Sequence, residues 1–290
     1  MDQIPRLQDL AKTLNPDRPT SVVDIGANPL DSPPYTPLLK ANVCHVFGFE
    51  PQKSAFEALQ EAKSDSETYF PFPVGDGNPV DFHIYRQSGL SSTFTIDESA
   101  RAFLGRPQRG SRLVETITMD TKRVDDIEDL KQIDLLKIDV QGSEVQIFEN
   151  ASNKLSTAVG VVTELRFHRL YEDEPLLDAQ FAELHKLGFI FHKVLFIKSA
   201  MISNSQTERL RRRSLRNQAI DGDAVFIRDI SKPGLVTSEQ LKHLAIMADG
   251  VFESYDLVIK CLDLLVERGE LDTDFPKRYV DGLPDAVKKF

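Results

Sequence analysis

Apolar positions along this chain fall into short β-branched runs separated by stretches of helical spacing. Residues 6–14 carry apolar side chains at helical spacing and stop at Asn15-Pro16, which predicts a short amphipathic helix. Ser21-Val22-Val23-Asp24-Ile25-Gly26 is apolar, β-branched and ends at a glycine, the pattern of a strand buried in a parallel sheet. Residues 43–49 repeat it and close at Glu50-Pro51. Residues 53–63 predict a helix, with Phe56, Leu59 and Ala62 three apart. Residues 68–74 form a third strand candidate, closing at Gly75-Asp76-Gly77. Residues 80–85 alternate apolar and polar, as a half-buried edge strand does, and residues 87–112, rich in Ser, Gly and Arg, predict a long surface segment.

Leu135-Leu136-Lys137-Ile138 is a short buried strand ending at Asp139; Gly142 opens a helix through about Asn150; residues 158–163 are a strand ending at Glu164. A helix over 176–187, a strand over 189–197 and a last strand over 223–227 complete the pattern. Strands alternating with helices predict an α/β domain with a mostly parallel sheet. After Pro233-Gly234 the spacing of Leu241, Leu244, Ala245, Leu257, Cys261, Leu264 and Leu265 is helical. The chain therefore divides into an N-terminal helical segment (1–20), an α/β domain (21–230) and a helical extension (231–290).

Charge and composition narrow the function. With 35 Lys+Arg against 45 Asp+Glu, the net charge of −10 disfavours a nucleic-acid partner. No apolar run approaches the ~20 residues of a membrane span, and the amino terminus lacks the apolar stretch of a secretory signal. Cys44 and Cys261, far apart and alone, fit a reducing cytoplasm.

Candidate chemistry gathers where strands end. Ligands of open α/β sheets sit beyond the carboxyl ends of strands. Asp24-Ile25-Gly26-Ala27-Asn28 closes the first strand, and Gly26 would let the backbone approach a ligand. Glu50, 24 residues after Gly26, is placed to accept both hydroxyls of a ribose, and Asp76 to receive an adenine amino group. These residues describe a nucleoside crevice. Gly26-Ala27-Asn28-Pro29-Leu30-Asp31 lacks the second and third glycines of a dinucleotide fingerprint, which favours a cofactor with an amino-acid tail over NAD.

Taken in order, Val-Asp-Ile-Gly-Ala-Asn (23–28), Gly-Phe-Glu-Pro (48–51), Val-Gly-Asp-Gly (74–77), Gly-Leu-Ser-Ser (89–92), Leu-Leu-Lys-Ile-Asp-Val-Gln-Gly-Ser-Glu (135–144) and Thr-Glu-Leu (163–165) resemble the FkbM family of S-adenosylmethionine-dependent methyltransferases. The resemblance covers about residues 20–230, and 135–144 is its most specific block. It implies a class I methyltransferase (Rossmann-like) sheet with helices on both faces, S-adenosylmethionine as cofactor, and O-methylation of a hydroxyl on a sugar, glycan or secondary-metabolite acceptor. Asp24, Gly26, Ala27, Asn28, Glu50, Pro51, Asp76, Gly77 and Asp139 would then bind the cofactor, with Asp139, Glu164 and His168 at the reacting centre.

Several residues have plainer readings. Asp24 can orient its loop, Asp76 can mark a turn, and Asp139 or Glu144 can favour the start of the following helix. Ser91 and Ser92 suit either the acceptor, the methionine tail or a serine-rich turn. Arg209, Arg211, Arg212, Arg213 and Arg216 form a basic cluster that suits an acceptor anion or a solvated face. Two departures from the family stand out. Pro29-Leu30 replaces a glycine-containing loop, so the next helix is expected to start late, after Asp31-Ser32-Pro33-Pro34. Gln141 stands where the family usually has Glu, so Asp139 and Glu164 are not expected to hold a metal. Two alternatives stay open: a NAD-dependent oxidoreductase, and a non-catalytic S-adenosylmethionine-binding protein whose tail contacts a partner. The tail reads equally as a homo-oligomer contact or a lid.

Overall fold

The computed structural model describes residues 2–29, 32–106 and 108–289. The elements follow the chain as α1 (Gln3–Leu14), β1 (Thr20–Ile25), α2 (Thr36–Ala41), β2 (Cys44–Phe49), α3 (Lys53–Ala62), β3 (Glu67–Phe70), β4 (Pro79–Tyr85), α4 (Glu98–Phe103), β5 (Leu113–Asp120), β6 (Leu135–Ile138), α5 (Glu144–Glu149) and α6 (Ser152–Leu155). Then come β7 (Gly160–Arg166), α7 (Leu177–Lys186), β8 (Phe189–Val194), β9 (Lys198–Ala200), β10 (Gln218–Arg228), α8 (Ser238–Gly250), α9 (Tyr255–Glu267) and α10 (Phe275–Asp281).

The main sheet has the order β3-β2-β1-β6-β7-β10-β8, with β9 beside β10. Strands β3, β2, β1, β6 and β7 are parallel. Strand β10 runs antiparallel between β7 and β8. The chain reverses direction across the sheet between β1 and β6, so a crevice opens at their carboxyl ends.

Period-two alternation sends successive side chains to opposite faces, and both faces are covered. On one, Val22, Val46, Leu135, Val162 and Val225 pack against Leu7, Leu38, Leu244 and Leu265 of α1, α2, α8 and α9. On the other, Val23, Ile25, Leu136, Ile138, Val161 and Phe226 pack against Ile147, Phe148, Leu155 and Leu184 of α5, α6 and α7. Each such side chain, fully buried, contributes roughly 1.5–3 kcal/mol. One buried ion pair ties α1 to α8: Arg6 Nε and Nη2 donate to Asp249 at 2.8 and 3.0 Å, and Tyr279 Oη of α10 donates to the same carboxylate at 2.6 Å. Among the described residues no helix is long and apolar enough to cross a membrane.

The structure revises several expected elements. Strand β3 stops at Phe70 rather than continuing to 74, because Pro71 and Pro73 have no N–H for the ladder. Residues 80–85 do not edge the main sheet; β4 pairs with β5 in a separate hairpin that sequence reasoning did not resolve. The segment 87–112 includes α4, whose N-terminus is capped by Asp97. Strand β10 is longer than expected, and β8 ends at Val194. Helix α2 starts at Thr36, late as expected; Leu30 and Asp31 lie outside the described residues.

Candidate active site

A cleft of about 630 Å³ opens at the carboxyl ends of β1, β2, β6 and β7. Asp24, Gly26, Asn28, Glu50, Pro51, Asp139 and Glu164 all line it, with Gln141, Ser91, Lys137, Asp221 and Asp223. Main-chain bonds shape its floor: Gly26 and Ala27 N–H both donate to Phe49 O at 3.1 Å, and Asp139 N–H donates to Ile25 O at 3.1 Å.

Parallel register places Asp24 beside Lys137, and their side chains form an ion pair of 3.0 Å. Tyr35 Oη donates to the second Asp24 oxygen at 2.7 Å. Asp24 is thus engaged by the protein at the rim of the cleft. Burial alone would lower the Lys137 pKa, yet Asp24 and then Asp139 raise it overall, so the ammonium stays charged. Gly26 has φ +85°, and a Cβ there would lie 2.0 Å from Asp139 O. The glycine therefore brings the ends of β1 and β6 together.

Glu50 is 3% exposed and takes one hydrogen bond, from Gln52 N–H at 2.7 Å. Burial pushes its carboxyl up to about 7, against the opposing Gln52 bond. Phe49 and Val74 add apolar wall close by.

The second half of the site is a bridged carboxylate pair. Gln141 has φ +58°, a left-handed conformation uncommon outside glycine. Its Nε2 donates to Asp139 Oδ1 at 2.7 Å and to Glu164 Oε2 at 3.1 Å. Its Oε1 accepts from Arg166 Nη2 and Tyr171 Oη, both at 3.3 Å, which fixes the orientation of the amide. Glu164 and Arg166, two apart on β7, share one face and pair at 2.6 Å. The antiparallel register of β10 sets Asp223 opposite Glu164 and Asp221 opposite Arg166. Burial, then the Asp139 charge, hold the Glu164 carboxyl well above the ordinary range, with Arg166 opposing. Burial and Asp139 likewise push Asp223 up to about 6.

Several candidates lie outside this cleft lining. Ala27 packs against Leu59 and Tyr69. Asp76 accepts from Asn78 N–H at 2.9 Å and Gln146 Nε2 at 3.1 Å, and Gly77 N–H donates to Thr121 at 3.0 Å. His168 stacks on Phe103 and bonds Arg169 O at 2.9 Å. The Arg209–Arg216 segment is a surface loop whose Arg212 reaches Gly105 O at 3.5 Å. Ser92 accepts from Phe94 N–H and donates to Gln141 O at 2.6 Å, so it supports the loop.

Sequence reasoning missed Lys137, Tyr35, Arg166, Asp221 and Asp223. A lysine inside Leu135-Leu136-Lys137-Ile138 was the available signal, since a charge in a buried strand needs a partner. The others required the strand register.

The residues present fit a nucleoside with an amino-acid tail. Glu50 is a buried carboxylate with one hydrogen bond among the described residues, so it has acceptor capacity for vicinal hydroxyls. A cation is served less well. Asp139, Glu144 and Glu164 bring carboxylate oxygens within 4.8 Å, but Glu144 takes Val140 and Gly142 N–H, and the Gln141 amide bridges the other two.

Residues 24–191 match the family model described as the methyltransferase FkbM domain. Sequence comparison with curated proteins gave no match. Among solved structures, the chain is similar to the magnesium protoporphyrin IX methyltransferase of Synechocystis PCC 6803 with bound SAM, at 11% identity and TM-score 0.36, covering 78% of this chain and 79% of that one. It is also similar to a putative S-adenosylmethionine dependent methyltransferase from Listeria monocytogenes, at 9% identity and TM-score 0.38, covering 77% and 98%. With the family model spanning more than half of its length, the chain belongs to the FkbM family of S-adenosylmethionine-dependent methyltransferases.

Proposed function

We propose that this protein methylates a hydroxyl oxygen of a sugar, glycan or secondary-metabolite acceptor, with Glu164 as the general base. The observation that carries the reading is Glu164 itself, a cleft-lining carboxyl held well above its ordinary pKa by burial and by Asp139. A carboxylate whose proton affinity is raised is a stronger base than a free one. Arg166 and Gln141 both bond Oε2, which leaves Oε1 without a hydrogen-bond partner among the described residues. Asp139 sits beside it, held by the same Gln141 amide. When bound, S-adenosylmethionine supplies an electrophilic methyl group on a sulfonium. Glu50 would hold the ribose hydroxyls, and Gly26, Asn28 and Pro51 would form the surrounding wall. The acceptor oxygen must be aligned with the methyl carbon, and alignment with proton removal is what these residues can provide.

The test is methyl transfer from labelled S-adenosylmethionine to a panel of sugars, glycosides and phenols, with matched amines as controls. Glu164→Gln is expected to lower turnover by roughly 10²–10⁴ while S-adenosylhomocysteine affinity stays within about threefold. His168→Ala, away from the cleft, is expected to keep turnover. Full turnover in Glu164→Gln removes it as the base, and transfer to amines alone removes the hydroxyl reading.

A further inference from the structure

A second pocket, of about 600 Å³, is lined by residues that neighbour those of the cofactor cleft along the chain. Arg86, Arg109 and Arg112 line it, with Ile96 and Leu113 as apolar wall. The segment 86–95 contributes to the lining of both cavities. Gln87, Ser88, Gly89, Ser91 and Thr93 face the cleft, while the flanking Arg86 and Thr95 face the pocket. Its geometry is set by the backbone: Arg86 N–H donates to Arg112 O at 3.0 Å and Gln87 N–H to Gly110 O at 3.1 Å, which brings two of the arginines side by side.

The charge here is uncompensated. None of the three guanidinium groups makes an ion pair or side-chain hydrogen bond with another described residue. The pocket has one acid among its described lining residues, Glu98, and Arg101 of the same helix pairs with it at 2.7 Å. Three like charges therefore converge on one concavity in a chain whose net charge is −10. A guanidinium fork matches an oxyanion in charge and in hydrogen-bond geometry.

We infer that this pocket binds an oxyanion carried by the methyl acceptor, a phosphate or a carboxylate, whose hydroxyl reaches the cleft across residues 87–93. The inference rests on the methyl-transfer reading and gives the acceptor its chemical class. Ile96 and Leu113 would cover an apolar stretch of the acceptor between the two groups.

The test is calorimetric titration of the full chain with inorganic pyrophosphate at low ionic strength. Wild type, Arg86→Ala/Arg109→Ala/Arg112→Ala and a control of equal charge change, Lys12→Ala/Lys40→Ala/Lys53→Ala, are compared. The arginine triple variant is expected to bind at least about tenfold more weakly, and the lysine triple variant within about threefold of wild type. Glucose 6-phosphate and glucuronate, set against glucose, then identify the oxyanion; either binding better than glucose supports the pocket. No pyrophosphate binding by wild type, equal weakening in both triple variants, or no preference over glucose each overturns it. S-adenosylhomocysteine is titrated into the same samples. Its failure to bind would sink the cofactor reading, whereas failure of the pocket leaves that binding intact in all three proteins.

Discussion

Replacing Glu50 by Gln should make this protein more stable and worse at binding its cofactor, and the two effects have one cause. Glu50 is 3% exposed, and burial raises its carboxyl from the ordinary 4.5 to about 7. A folded pKa above the unfolded one means that its contribution is fully present below pH 4.5 and is lost as pH rises through 7. At about 1.4 kcal/mol per tenfold in proton affinity, ionising it in the empty cleft costs about 3 kcal/mol by pH 8. Glutamine carries no charge, is isosteric, and its Oε1 can keep the bond from Gln52 N–H. Urea unfolding of cofactor-free Glu50→Gln is therefore expected to show a gain of about 3 kcal/mol at pH 8, shrinking toward zero near pH 4.5. Losing a charged acceptor for two hydroxyls weakens S-adenosylhomocysteine by roughly 1.5–3 kcal/mol, or about 10–150-fold, by calorimetry at pH 8. For wild type the same titration gives affinity that falls as pH drops below about 7. Equal stability of the two proteins at pH 8 would show that the carboxylate is not desolvated. Unchanged affinity would show that Glu50 does not hold the ribose.

Three further outcomes follow from single contacts. Gln141→Glu places a third carboxylate 2.7 Å from Asp139 and 3.1 Å from Glu164; charges about 3 Å apart repel by about 5 kcal/mol at an effective dielectric near 20. Thermal unfolding should show it destabilised at pH 8, recovering at pH 5 and on adding Mg²⁺, while wild type gains nothing from Mg²⁺; identical curves for the two proteins would refute the bridging role of the amide. Gly26→Ala drives a Cβ to within 2.0 Å of Asp139 O at φ +85°, so it should lower stability by several kcal/mol and abolish S-adenosylhomocysteine binding, whereas a wild-type titration curve would contradict the geometry. Asp249→Ala removes the buried carboxylate to which Arg6 and Tyr279 donate and should cost about 3–5 kcal/mol in urea unfolding, with affinity in the residual folded protein unchanged; a loss under 1 kcal/mol would mean that water replaces the carboxylate.

How much of this was legible beforehand depends on the distance over which each signal acts. Strand β1 could be read because an unbroken apolar run ending in glycine is a local property, and Glu50 could be read because it closes the next such run. Strand β5 was illegible for the opposite reason: its side chains are mostly exposed, so burial imposes little hydrophobic pattern on Leu113–Asp120. Asp76 failed to reach the cleft for a related reason, since Pro71 and Pro73 end β3 early and the loop turns its carboxylate toward Gln146.

The site's charged network depended on pairing that no single segment encodes. Lys137 meets Asp24 through the register of β1 on β6, and Asp221 meets Arg166 because β10 runs antiparallel to β7. Gln141 is the instructive case. Read alone, it removes a carboxylate from the family's pattern. In the fold, its amide nitrogen supplies two donors to carboxylates that would otherwise repel, and its oxygen is pinned by Arg166 and Tyr171. The substitution therefore changes what neutralises the pair, replacing a group that would need a proton or a cation with a neutral donor already in place. Gln141 follows β6, the strand paired with β7, so its amide meets Glu164 across one step of the sheet. Changing that amide should move the pH dependence of turnover before it moves cofactor affinity, because Gln141 touches the carboxylates of the reacting centre and not Glu50.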